Sequence, residues 1–254
     1  MKKINHFYFA YPGNKRKELP LIYAKLNFDG IKKIIEPFCG SVAFSYYISK
    51  QQPRKFKYIL NDKEKFLKDM YEIMIDENKT KDFENIINNE LENLVVKEKY
   101  NEFTKRKDIY GWFVKNKYYR IRPGLFHMKT KLKQLDLKNT YIYEFFNNED
   151  IEFYNEDGLD IYKKYCNDSE NMIFLDPPYL NRCNTFYSNQ IVNIYEYLFK
   201  NNIKNNDSRI YLILENNWII QLLFDGYNKI EYDKKYSVNF SKNTNVKHVF
   251  ISNI

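Results

Sequence analysis

The chain has 254 residues, 44% of them hydrophobic, and a formal net charge of +8. That suffices for one large domain or a core with one insertion, and the basic balance favours a polyanionic partner. No stretch approaches the roughly 18 consecutive apolar residues of a membrane span. The three cysteines and three histidines are scattered without disulfide or metal spacing, so no metal site is expected. The 24 tyrosines and 20 phenylalanines, with abundant lysine, asparagine and isoleucine, fit an AT-rich source. They carry little functional weight by themselves.

Short apolar strands alternate with amphipathic helices, the pattern of an α/β sheet. Tyr11-Pro12-Gly13-Asn14-Lys15-Arg16 predicts a turn, with a helix starting near Glu18. Gly13 permits close backbone approach, and Lys15 could meet a carboxylate. Because Pro12-Gly13 also breaks the short apolar run after Met1-Lys2-Lys3, no secretion signal is expected and a cytoplasmic, reducing setting is. Residues 31–36 predict the first strand. Glu36-Pro37-Phe38-Cys39-Gly40-Ser41 joins it to a helix from about Val42, where glycine would bring a ligand close to the backbone. The G-x-G-x-x-G of dinucleotide folds is absent, which disfavours a nicotinamide cofactor.

Residues 57–60 predict a second strand closed by Asn61-Asp62. Asp62 suits ribose hydroxyls, or the N-cap of the helix carrying Phe66, Leu67, Met70, Ile73 and Met74. From about residue 80 to 143 the alternation gives way to charged, helical sequence, the best candidate for an inserted domain. Further strands are expected at 151–154, 172–175, 210–214 and 246–251. Acidic residues recur just past strand ends, at Asp62, Asp157, Asp176 and Glu215, where ligands of open α/β sheets bind.

The strand at 172–175 is stopped by Asp176-Pro177-Pro178-Tyr179. Each proline lacks an N–H and fixes its own φ, so the peptide leaves the sheet stiff and extended. An acid, outward carbonyls and an aromatic ring then suit the exocyclic amine of a flipped adenine.

Taken in order, Tyr11-x-Gly13-Asn14-Lys15, Glu36-Pro37-Phe38-Cys39-Gly40, Asn61-Asp62, Asp157 and Asp176-Pro177-Pro178-Tyr179 resemble Dam-type (D12 class) N6-adenine DNA methyltransferases. The closing segment, with Lys234-Lys235-Tyr236 and residues 247–253, resembles phage-like members. The resemblance implies a Rossmann-like methyltransferase sheet formed by residues 1–79 and 144–254. Residues 80–143 would be an inserted, mostly helical target-recognition domain containing a β-hairpin.

The implied cofactor is S-adenosylmethionine. Tyr11 would pack near it with Gly13 beside, Lys15 would sit at its carboxylate end, and Pro37, Phe38 and Gly40 would line its methionine–ribose side. Asp62 would hold the ribose hydroxyls, and Asp157 and Gly158 would lie by the adenine. Asp176, Pro177, Pro178 and Tyr179 would be catalytic, Asp176 also facing the cofactor. The segment 118–126 resembles the family's base-contacting hairpin, giving Lys117, Tyr119, Arg120, Arg122 and Lys129 as DNA-binding residues on an adenine-containing double strand. A cognate restriction enzyme is a partner the family allows, and a phage or viral source would place the protein in the host-cell DNA compartment.

Three positions depart from the pattern. Val42 stands where a further glycine is usual, implying altered packing, and Arg122 replaces an asparagine, so the target sequence is not inherited. His248 stands where glutamate is common, implying a structural change. Protein-glutamine methyltransferases, which usually carry Asn-Pro-Pro-Tyr, are disfavoured by Asp176. A non-catalytic DNA-binding relative and an RNA adenine methyltransferase remain the alternatives.

Overall fold

A computed structural model describes residues 15–118, 132–178, 192–236 and 244–254. In chain order, helix α1 (Leu19–Tyr23) precedes strand β1 (Lys33–Glu36), helix α2 (Ala43–Gln51) and strand β2 (Lys57–Asn61). Five helices follow: α3 (Lys65–Met74), α4 (Glu77–Glu90), α5 (Lys97–Phe103), α6 (Ile109–Lys117) and α7 (Tyr141–Asn148). Alternation resumes with β3 (Asp150–Tyr154), α8 (Gly158–Tyr165), β4 (Asn171–Leu175), α9 (Val192–Lys200), β5 (Arg209–Glu215) and α10 (Trp218–Leu223). The last elements are β6 (Asn228–Tyr236) and β7 (Thr244–Ser252).

The chain divides into two compact units. A sheet unit comprises Arg16–Cys39, Lys55–Lys63 and Ile151–Ile254, and a helical unit comprises Met1–Lys15, Gly40–Arg54 and Glu64–Asp150.

In the sheet unit the seven strands run β3-β2-β1-β4-β5-β7-β6. β1 pairs in parallel with β2 and β4, and β4 with β5, while β7 is antiparallel to both β5 and β6. Chain order reverses between β1 and β4, and a crevice opens outside the carboxyl ends of strands at such a point. All five residues of β4 are buried, as expected of a central parallel strand covered on both faces. Ile35, Ile173, Leu175 and Leu212 form the middle of the core, with Ile161 of α8 and Leu198 of α9 against it. The mixed α/β, seven-stranded sheet is consistent with the expected Rossmann-like methyltransferase.

The six expected strands are found with ends shifted by at most two residues. β6 was not among them. Like β3 it stands at an end of the strand order, and its lysines and acids replace the apolar run that marks a buried strand.

Buried charge closes this unit. Lys234 of β6 forms an ion pair with Glu18, and the Tyr232 hydroxyl donates to Glu18 Oε2 at 2.7 Å. His248 of β7, fully buried, places Nδ1 3.6 Å from the same oxygen. It faces the carboxylate that precedes α1.

In the helical unit, side-chain caps set the helix starts. Asp76 accepts from the Asn78 and Lys79 N–H groups, Asp108 from Gly111 and Thr140 from Tyr143. Glu64, not Asp62, caps α3, accepting from the Phe66 N–H. One face of α3 buries Leu67, Met70, Tyr71 and Met74 at helical spacing. Tyr71 stacks on Phe146 of α7, and Phe83 meets Phe113 edge-on. The expected hairpin lies outside the described residues.

Candidate active site

The strand ends of the sheet unit are tied together by one side chain. Asn61, the last residue of β2, is fully buried. Its amide nitrogen donates to the Pro37 carbonyl at 2.9 Å and the Glu156 carbonyl at 3.2 Å, while its oxygen accepts from the Glu156 N–H at 2.8 Å. Segments following β1 and β3 are thus fixed from the end of β2. The Cys39 N–H donates back to the Asn61 carbonyl at 2.8 Å, and the Asn155 side chain to that of Asp62 at 2.8 Å. Asp62 therefore leaves β2 on a rigid backbone.

Phe38 and Gly158 meet on this edge. A Cβ added at Gly158 would stand 2.4 Å from the Phe38 ring and 2.9 Å from the Pro37 carbonyl oxygen. Only glycine lets the ring lie against the start of α8. Asp157 caps that helix through the Leu159 N–H at 2.9 Å, and its other oxygen lies 3.4 Å from Lys63. The edge thus carries an aromatic ring at Phe38 and hydrogen-bond-accepting carboxylates at Asp62 and Asp157. Burial, followed by the charges of Asp62 and Glu36, pushes the Cys39 thiol well above its ordinary range. That shift favours the protonated thiol.

Asp176-Pro177-Pro178 leaves the end of β4, next to β1. Asp176 and Pro178 are half-buried and Pro177 is buried. The Tyr195 hydroxyl, from α9, donates to the Pro178 carbonyl at 3.0 Å. Burial and then the charges of Asp176 and Glu215 raise the phenol far above its ordinary value, so it stays a donor.

The helical unit carries two further expected residues, Lys15 and Gly40. Lys15 is buried. Gly40 adopts φ +45° and Val42 φ +55°. The Tyr71 hydroxyl donates to the Gly40 carbonyl at 2.5 Å, and the Tyr141 hydroxyl to the Ser41 carbonyl at 3.0 Å. Val42 is fully buried and left-handed at the start of α2. A β-branched residue rarely adopts that conformation, which glycine accepts without strain. The departure at Val42 thus touches the backbone as well as packing.

The sheet unit brings together Pro37, Phe38, Asp62, Asp157 and Gly158, and places Asp176, Pro177 and Pro178 on the neighbouring strand end. Lys117 is half-buried in the last turn of α6. Tyr11, Gly13, Tyr119, Arg120, Arg122, Lys129 and Tyr179 lie outside the described residues. Sequence reasoning missed the bridging role of Asn61, although the residue closes the second strand. It also missed Tyr71, Tyr141 and Tyr195, which nothing separates from the other tyrosines before folding. Among the described residues, no cluster of His, Cys, Asp and Glu could hold a metal ion, and no helix is long and apolar enough to cross a membrane.

Residues 11–123 match the family model of D12 class N6 adenine-specific DNA methyltransferases. The match takes in the Tyr11–Lys15, Glu36–Gly40 and Asn61-Asp62 motifs and stops short of Asp157 and Asp176. It bears out the resemblance over that stretch, under half of the chain. No curated protein matches the chain.

Proposed function

We propose that this chain is a site-specific DNA methyltransferase that moves a methyl group from S-adenosylmethionine to N6 of a flipped adenine. The observation that carries the reading is Asp176-Pro177-Pro178 at the end of central strand β4, beside the β1 end whose motif falls in the family match. Pro37, Phe38, Asp62, Asp157 and Gly158 would hold the cofactor in the sheet unit, and Tyr11, Gly13, Lys15 and Gly40 are the further cofactor-binding residues that the resemblance implies. When bound, S-adenosylmethionine supplies an electrophilic methyl group on a sulfonium.

The chain's own task is to prepare the amine. The adenine N6 lone pair is delocalised into the ring, so the free base is a poor nucleophile. The Asp176 carboxylate and the Pro177 carbonyl accept the two N6–H bonds and draw the nitrogen toward tetrahedral geometry. The lone pair is then localised and aligned, and alignment and fixed dipoles supply much of the rate. Tyr179 stacks on the extruded base, a contact worth ~1–3 kcal/mol. Residues 80–143 serve target recognition, with Lys117, Tyr119, Arg120, Arg122 and Lys129 on phosphates and bases.

The test is N6-methyladenine formation in DNA incubated with the full chain and S-adenosylmethionine, with modified positions read by sequencing. Asp176→Ala should lower transfer by about a hundredfold or more while DNA retention persists. A wild-type protein that binds neither the cofactor nor DNA removes the reading.

A further inference from the structure

Asp176-Pro177-Pro178 is stiff at every joint but one. The two rings fix φ of residues 177 and 178 near −65°. A residue preceding proline is confined to extended ψ, which restrains Asp176 and Pro177. The soft torsion left is ψ of Pro178. It sets the direction of the Pro178 carbonyl and the heading of the peptide into Tyr179.

Tyr195 holds that carbonyl, its hydroxyl donating at 3.0 Å. The ring is 6% exposed and anchored in the core beside Ile194 and Leu198 of α9. Burial and the charges of Asp176 and Glu215 keep the phenol protonated. The donor is thus permanent, and its seat is the packed core.

We infer that Tyr195 is a positioning residue for methyl transfer: by tethering the Pro178 carbonyl to the packed core, it holds in place the Asp-Pro-Pro turn whose Asp176 carboxylate and Pro177 carbonyl accept from the target amine. This rests on the proposed function. Tyr195 touches no reacting atom, and its effect passes through Pro178.

Tyr195→Phe keeps the ring and removes the donor. The expected result is a fall of about tenfold in kcat, the factor that about 1.4 kcal/mol of lost alignment produces, with unchanged affinity for S-adenosylmethionine and an unchanged melting temperature. Pro178→Ala frees a second torsion of the same turn. The double variant should therefore lose more than the product of the two single losses. A kcat within twofold of wild type overturns the proposal, as does a multiplicative double variant. Parallel loss of turnover, cofactor affinity and melting temperature would make Tyr195 merely structural and also overturns it. A wild type that binds cofactor and DNA but transfers no methyl group overturns the function itself, and the positioning role with it.

Discussion

After β1 the chain bends through Gly40 and Val42, both at positive φ, whereas after β4 it runs straight through two prolines. The first turn is held by two buried phenols, Tyr71 on the Gly40 carbonyl and Tyr141 on that of Ser41. At the second, Tyr195 holds the Pro178 carbonyl. A backbone with free torsions needs restraint from outside, while one already restricted by its covalent rings needs less of it. Part of the tyrosine excess is thus used to fix carbonyls at strand ends.

The largest effect expected on this comparison comes from Asn61→Leu, which removes the shared base of the first turn. The buried Pro37 carbonyl would lose this donor at about 1–3 kcal/mol, and the part-buried bonds to the Glu156 carbonyl and N–H would go at about 0.5–1.5 kcal/mol each. Urea unfolding should show a loss of about 2 kcal/mol or more. A loss under about 1 kcal/mol would mean that the strand ends are held by other contacts. Tyr71→Phe comes next, at about 0.5–1.5 kcal/mol, because it removes a hydrogen bond to the buried Gly40 carbonyl. Its mark should fall on stability, where that of Tyr195→Phe falls on turnover. If the two variants lose stability alike, the difference between the turns dissolves.

The smallest effect concerns Val42. Alanine and glycine both remove its buried methyl groups, but only glycine relieves a left-handed backbone, by about 1–2 kcal/mol. That outweighs the roughly 0.5–1 kcal/mol entropic cost of glycine. Val42→Gly should therefore melt no lower than Val42→Ala. An alanine variant melting clearly higher would show that the position carries no strain.

Strands were legible where burial is two-sided. Residues 172–175 and 210–214 are unbroken apolar runs, and a run of that kind cannot be satisfied except inside a sheet. β6 was illegible because an edge strand with a polar face needs no such run. Acidic residues after strands were legible as site candidates from their position alone. What each does was not: Asp157 caps α8, and Glu64 takes the capping role at α3 that Asp62 could have filled. Those assignments depend on where a helix begins to within one residue, which propensity does not resolve. The Asn61 bridge and the three tyrosine clasps join residues distant in sequence, and no local pattern announces a partner that far away.

Glu18 has a consequence for how the chain is made. Its partners, Tyr232, Lys234 and His248, lie at the other end of the sequence, Tyr232 a full 214 positions later. During synthesis from the N-terminus these three partners reach Glu18 only once β6 and β7 have left the ribosome. Burying a charge costs least when its partners are buried with it, so these contacts close after the central strands have been made. A carboxylate made early is thus fastened by strands made late.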